Sequence, residues 1–320
     1  MDFDASPRWK PSASLDSLQK RAQALGKLRR FFERRGVLEV ETPLLAPFGT
    51  VDLWIDSFVV TSHLGRTPLW LQTSPEFFMK RLLAAGAGPI WQLCKAFRDE
   101  GEGTRHLREF SIVEWYRPGF GLEQLCREVW ELCRALIPTL PEPRFAPFAS
   151  LFQDACHLDP FHCQVEDLRD AVFSHMPVAP ELPMDDRDGW LDLLFVTAIE
   201  PHLGMDAPVF VTNYPLSRAA LAKAIPGDPP TAARSEMYWQ GVELCNAYDE
   251  LADAEELLRR FQEDAQGRKA LGKDVPTIDH DLIEAHRAGI PPTSGVALGF
   301  DRLLMLSLDA TSVQEIVAFG

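Results

Sequence analysis

The sequence predicts an α+β fold, with one antiparallel β-sheet flanked by helices in a single domain over residues 1–320. Three observations predict it. Residues 91–98 and 110–116 each alternate in character and are joined by a short charged loop, the pattern of two adjacent antiparallel strands. Strand-like runs recur far down the chain at Glu236–Leu244 and Ser294–Gly299, the latter running straight into an apolar helix. Helical segments lie elsewhere, without the regular strand–helix alternation of a parallel sheet. Length alone permits two domains, but residues near 74, 98, 243 and 302 must converge to act together, and one domain does this better.

The elements follow in order. From Ser14 to Arg35, Leu18, Ala22, Leu25, Leu28 and Phe32 recur at helical spacing; Ser14 or Asp16 caps the start and Gly36 ends it. Val37–Glu41 reads as a short strand closed by Pro43. Ser74-Pro75-Glu76 opens a helix over Phe77–Ala85, with proline suited to a first turn. In the strand pair, Trp91, Leu93, Lys95 and Phe97 take one side, and Gln92, Cys94, Ala96 and Arg98 the other; the return strand sets Phe110, Ile112, Glu114 and Tyr116 on one face. Leu122–Leu136 is a helix, and the proline-rich passage Pro138–Pro147 a surface connection. Residues 150–205 read as mostly helical and carry no chemical motif. A loop at Pro226–Pro230, the 236–244 strand, a charged helix over Ala254–Lys269 and the closing strand–helix complete the chain.

Composition narrows the function. Hydrophobic residues make up 46% and charged residues 25%, with no block of like charge, so a packed core is expected. No apolar run approaches the ~18 residues that span a bilayer, and Met1–Arg8 lacks a basic-then-apolar leader. The reading is a cytoplasmic protein with no membrane association. The net charge of −15 argues against tRNA or DNA as an extensive partner. The basic patch from Lys27 to Arg35 reads more simply as the solvated side of its helix. The six cysteines form no Cys-x-x-Cys pair; Cys126/Cys133 and Cys156/Cys163 are each spaced as one helical face, which favours core packing over a zinc site with His157 and His162.

The chemistry concentrates in Phe97-Arg98-Asp99-Glu100, His106, Phe110 and Glu114. An arginine, carboxylates and an aromatic ring so placed can meet a phosphate, an amino group and a purine without a glycine-rich phosphate loop. Each residue also has a plain alternative. By itself Phe110 reads better as a core ring, His106 equally as a solvated loop residue, and Tyr116 as a buried tyrosine with its hydroxyl satisfied. Glu236 and Glu243 fit magnesium with ATP phosphates or ordinary surface glutamates; on one strand they fall on opposite faces, and a bulge near Gly241 is needed to unite them. Arg302, at a helix start, suits a phosphate clamp or an ion pair with Asp301 or a neighbour. Signatures of phosphate-loop, dinucleotide, serine-hydrolase and zinc-protease chemistry are missing.

Taken together these segments resemble the class II aminoacyl-tRNA synthetases. Arg35-Gly36 to Pro43 is similar to their first motif, which in the family shapes a dimer interface; Phe97–Glu114 is similar to the second and Gly299-Phe300-Asp301-Arg302 to the third. Ser74-Pro75-Glu76 with Lys80, and Gly241-Val242-Glu243 through Asn246 to Glu250, resemble lysyl-tRNA synthetases. Those enzymes carry an N-terminal anticodon-reading barrel, and here the first helix starts near residue 14. With Pro11-Ser12-Ala13-Ser14 and Val113-Glu114-Trp115-Tyr116, this makes the chain similar to the shorter elongation factor P–lysine ligase family. That family activates lysine or (R)-β-lysine and transfers it to a lysine side chain of elongation factor P.

By position, the resemblance implies a catalytic pair. Arg98 holds the α-phosphate and substrate carboxylate, and Arg302 the γ-phosphate. It implies an ATP site completed by Asp99, Glu100 on the adenine amino group, His106, Leu107 through its backbone, Phe110 stacked on the base, Glu243, Leu244 and Gly299. Glu236 and Glu243 hold Mg2+. Ser74, Pro75 and Glu76 form the amino-acid site with Asn246 on the carboxylate, while Tyr116 and Glu250 grip the distal ammonium. A homodimer is implied as well. The chain departs from the family at Leu107-Arg108, where Asn-Pro is usual, and at Ala247, usually glycine. Ala297 stands where lysyl-tRNA synthetases have glycine, a hint of a substrate other than α-lysine. The alternatives are free-standing aminoacylation of tRNA or another carrier, and a non-catalytic regulator; the latter predicts decay of Arg98, Glu243 or Arg302, all of which are present.

Overall fold

Ser14 caps the first helix, α1 (Leu15–Glu33), its hydroxyl accepting the Ser17 N–H at 3.0 Å, and Gly36 leaves the helix at φ +63°. The computed structural model describes residues 9–63, 65, 67–176, 178 and 182–320, so the Met1–Arg8 stretch read for targeting lies outside them. After α1 come β1 (Leu38–Glu39) and a small sheet that sequence periodicity did not reveal: β2 (Leu45–Ala46), β3 (Val59–Val60) and β4 (Leu69–Leu71), each too short to alternate legibly. Helix α2 (Glu76–Ala84), the hairpin β5 (Ile90–Phe97) and β6 (Glu109–Pro118), and α3 (Leu122–Leu136) fall where expected.

The proline-rich connection is not wholly irregular. Its last residues form β7 (Arg144–Pro147), paired parallel with β8 (Val209–Pro215). Between them lie α4 (Phe148–Cys156), α5 (Val165–His175), α6 (Arg187–Leu194) and a π-helical turn at Phe195–Ile199, the crossover that a parallel pair requires. Cys156 ends α4 and Cys163 precedes α5, so the two do not share one helix face as their spacing implied; Cys126 and Cys133 do, buried on α3. Then follow β9 (Ala224–Ile225), β10 (Thr231–Trp239), β11 (Val242–Asp249), α7 (Ala254–Ala270), α8 (His280–Ala288), β12 (Thr293–Gly299) and α9 (Phe300–Ser307).

Among the described residues the main sheet has nine strands in the order β1-β5-β6-β12-β11-β10-β8-β7, with β9 beside β10. Its centre is antiparallel as expected, while the edge pairs β1/β5 and β7/β8 are parallel. Alternation sorts the two faces. Trp91, Val113, Trp115 and Leu298 point into a core closed by α1, α3 and α9, where Phe32 stacks on Trp91 with ring centroids 4.5 Å apart. A second core joins α4–α6 to β8 through Phe148, Phe152 and Trp190. The next residues along β6, Glu114 and Tyr116, point the other way and line a cleft.

Candidate active site

The cleft measures about 460 Å³ and gathers the predicted residues from both strand pairs. Strand β6 contributes Phe110, Ile112, Glu114 and Tyr116, the face read from alternation. Arg98, Glu100, His106 and Leu107 reach it from the β5–β6 loop, Ser74 and Glu76 from the start of α2, and Gly299 and Arg302 from the β12–α9 junction. Two predicted residues stay outside it. Asp99 is exposed, its N–H donating to the Asp56 carbonyl at 2.9 Å, and Pro75 is buried as the N-cap of α2, behind the lining.

The strand-like run at 236–244 is a hairpin rather than one strand. Gln240 and Gly241, both at positive φ, turn β10 into β11. A register shift between Met237 and Tyr238 then sets Tyr238 opposite Glu243, so the bulge lies before the glycine and not at it. Glu236, Glu243, Leu244, Asn246 and Glu250 all line the cleft as a result. Glu236 is far from an idle surface glutamate. It accepts hydrogen bonds from Tyr214 at 2.5 Å and Tyr238 at 2.7 Å and pairs with Arg234. Burial pushes its carboxyl up, but Arg234 and the two tyrosines outweigh that and hold it low. Burial and the neighbouring Glu236 push Glu243 up, and Glu200, absent from the sequence reading, is raised to about 7 by burial and by Glu243 and Glu236. Among the described residues no three His, Cys, Asp or Glu side chains are placed to hold a metal by themselves.

Among the described residues, Arg98 is the unpaired cation of this site. Its guanidinium lies 5.3 Å from the Phe110 ring centroid, its buried Nε has no hydrogen-bond partner, and no carboxylate among the described residues pairs with it. Arg302 does not pair with Asp301. Its ion pair is with a neighbour, the Glu243 carboxylate at 3.4 Å, and it also donates to the Glu243 carbonyl at 3.0 Å and to His106 Nε2 at 2.6 Å. Asp301 instead binds Arg21 of α1 at 2.7 Å and the Ser111 N–H at 2.7 Å, tying α1 and α9 to β6. Because arginine only donates, His106 Nε2 accepts and its proton sits on Nδ1. Withdrawal from water and the charges of Arg302, Arg98 and Arg105 lower the imidazole to about 4, so it is neutral at physiological pH. The loop carrying it is pinned by Arg105 on the Gly241 carbonyl at 2.7 Å and by the Val313 N–H on the Thr104 carbonyl at 2.8 Å.

The opposite end of the cleft is acidic. Lys80, quoted in the motif but given no role, is fully buried and bridges Glu76 and Glu250 at 2.6 Å each. Burial opposes its charge, but Glu250 and Glu76 overcome this and keep the ammonium protonated. Glu114 is buried too; Ser74 donates to it at 2.6 Å and Tyr116 at 3.2 Å. Asn246 accepts from Arg234 at 3.1 Å and donates to the Tyr248 hydroxyl at 2.9 Å, so its side chain is already engaged on both sides.

Burial, with Glu76 beside it, pushes the Glu114 carboxyl up from the ordinary 4.5 to about 8. The unfolded chain releases this proton near 4.5 and the folded protein near 8. Its contribution to stability is therefore full below the lower value and declines as pH rises to the upper one. Glu114→Gln is expected to remove that decline, flattening the slope by ~1.4 kcal/mol per pH unit. Urea titrations across this pH range check it; an unchanged slope would refute the neutral state of Glu114.

The profile of the family "tRNA synthetases class II (D, K and N)" matches residues 9–320. The chain is 43% identical over 318 residues to the elongation factor P–(R)-β-lysine ligase of Pasteurella multocida (strain Pm70), covering 98% of this chain and 97% of that protein. It is 42% identical to the ligases of the same name from Histophilus somni (strain 2336) and Haemophilus influenzae (strain PittGG), with the same coverage of both chains. The chain belongs to the class II synthetase family, in its elongation factor P–(R)-β-lysine ligase branch.

Proposed function

We propose that the protein activates (R)-β-lysine, or lysine, with ATP and transfers it to a lysine side chain of elongation factor P. In the first step a substrate carboxylate oxygen attacks the α-phosphorus and displaces pyrophosphate, giving the aminoacyl-adenylate. In the second, the acceptor amine attacks the acyl carbon, an amide bond forms and AMP leaves. The observation that carries this reading is the polarity of the cleft: unpaired Arg98 at one end, Glu76 and Glu250 around Lys80 at the other. One end suits a phosphate, the other a diamine. The enzyme supplies position and field, and needs no protein nucleophile.

Arg98 would bind the α-phosphate and the reacting carboxylate, Arg302 the γ-phosphate with His106 orienting it, Phe110 the adenine face and Glu100 its amino group. Leu107, Leu244 and Gly299 complete that wall. Glu76 would take the ammonium near the reacting end and Asn246 the carboxylate; Tyr116 and Glu250 would take the distal ammonium. Glu243 would hold Mg2+ as a hard carboxylate donor beside the phosphates, with Glu236, whose oxygens already accept from Tyr214, Tyr238 and Arg234, as its second carboxylate; bound there, the ion would neutralise phosphate charge.

The names of the relatives support (R)-β-lysine over α-lysine, and Ala297 lines the cleft beside Glu114 in register. A homodimer is proposed on the exposed Leu38 in the segment similar to the family's dimer motif, with the exposed Leu44 and Leu45 just after it. A cytoplasmic location is proposed as well; among the described residues no helix is long and apolar enough to cross a membrane. Incubation with ATP, labelled (R)-β-lysine or lysine, and elongation factor P or tRNA tests the assignment. Label on elongation factor P is expected; label on tRNA alone would refute it.

A further inference from the structure

Strand β12 turns three small residues, Gly295, Ala297 and Gly299, toward the cleft. They are not equivalent. A Cβ built at Gly299 meets only the Arg302 side chain, at 3.6 Å, an ordinary contact. A Cβ built at Gly295 falls 2.5 Å from Tyr116 Cδ1 and closer still to Tyr116 Cε1 and Glu250 Oε1. The ring and the carboxylate occupy the space that a side chain at 295 would fill.

Neither group can retreat. Gly295 lies opposite Tyr116 on β6 and Tyr248 on β11. The Tyr116 hydroxyl is tied to Glu114 at 3.2 Å, and the residue is 2% exposed. The other Glu250 oxygen is held by Lys80 at 2.6 Å, and the Glu250 N–H donates to the Thr293 carbonyl at 2.9 Å, anchoring it to β12. A methyl at 295 can be accommodated only by lifting Tyr116 and Glu250 off the sheet and into the cleft.

We infer that Gly295 is a length gauge: by having no side chain it seats Tyr116 and Glu250 low on the sheet, and so sets how many methylenes separate the reacting carboxylate from the distal ammonium. This rests on the diamine-activating reading above and goes beyond it by naming the residue that selects chain length. Gly295 touches substrate only through the two groups it seats, so it is a positioning residue. One methylene of misfit in such a pocket costs roughly 10–200-fold in kcat/KM.

The test is amino-acid-dependent ATP–pyrophosphate exchange by Gly295→Ala, using (R)-β-lysine, lysine and the homologues of each with one methylene fewer. The expected result is a loss of about 10–200-fold with the natural length, a smaller loss or a gain with the shorter diamines, and an unchanged KM for ATP. An equal loss for both lengths, or an unchanged preference, would overturn the gauge. If the variant does not fold, Gly295→Ala in a Tyr116→Ala background removes the ring that the methyl would strike. Its length preference is then compared with that of Tyr116→Ala alone: a shift to the shorter diamine supports the gauge, and equality overturns it. Wild-type exchange that responds to no diamine sinks the parent reading and this one together, whereas exchange that ignores Gly295 sinks this one alone.

Discussion

Arg98→Ala is expected to lower ATP–pyrophosphate exchange by roughly 10²–10³-fold, the scale set by removing one preorganised hydrogen-bond donor from an active site, while leaving the fold intact. The second half of the expectation follows from what Arg98 lacks. Its guanidinium has no carboxylate partner among the described residues, and its buried Nε has no acceptor. Truncation therefore breaks no ion pair and relieves one unsatisfied donor, so thermal stability should hold or rise. Exchange kinetics and a melting curve on the same preparation check both halves. Retained exchange would remove Arg98 from catalysis, and a large loss of stability would show that it is structural.

Lys80→Met should do the reverse, damaging the fold first. Methionine keeps most of the buried stem but removes the ammonium that bridges Glu76 and Glu250. Breaking a buried pair from one side leaves charge without compensation and costs about 3–5 kcal/mol. The sign of its pH dependence is fixed. In the native protein Lys80 stays charged throughout the neutral range because Glu250 and Glu76 raise its affinity for a proton. In the variant the two carboxylates face each other alone and can relax only by taking up a proton. The deficit should therefore be largest at alkaline pH and shrink as pH falls toward the carboxylate range. Denaturant titrations of both proteins across pH measure it; a deficit that does not change with pH would mean that packing, not charge, is the cause.

Much of this site was legible because it sits on long, regular elements. The alternation of residues 91–98 and 110–116 correctly put Phe110, Ile112, Glu114 and Tyr116 on one face, since strand geometry leaves no other choice. The boundaries of α3 were read as found for a similar reason: fifteen residues give the helical period room to show. The hairpin at Gln240-Gly241 is not legible in the sequence because its turn lacks the Asn-Gly or Asp-Gly signature, and a glycine inside a strand-like run reads equally as a bulge. Strand β7 hid among prolines because its pairing partner, β8, lies beyond three helices. Lys80 does carry a signal in the sequence. It lies one turn after Glu76, between Met79 and Leu83 on a helix too apolar there to spare a lysine for solvent. Asp99 and Pro75, which the resemblance places in the site, lie beside cleft-lining residues but do not line it, because neighbours on a strand end or helix start face different ways.

The pairing of β6 with β12 has a kinetic meaning. The cleft floor joins a strand from the first half of the chain to one near its end, across the whole α4–α6 layer. Contacts this distant along the chain form late, because the entropy of closing so long a loop must be met before they return anything. The hairpin β5–β6 can assemble early and alone, yet it presents Arg98 and Glu114 with no opposing wall. Competence to bind either substrate should therefore appear in one step at the end of refolding, together with the last rise in tertiary structure, and never in a partly folded chain.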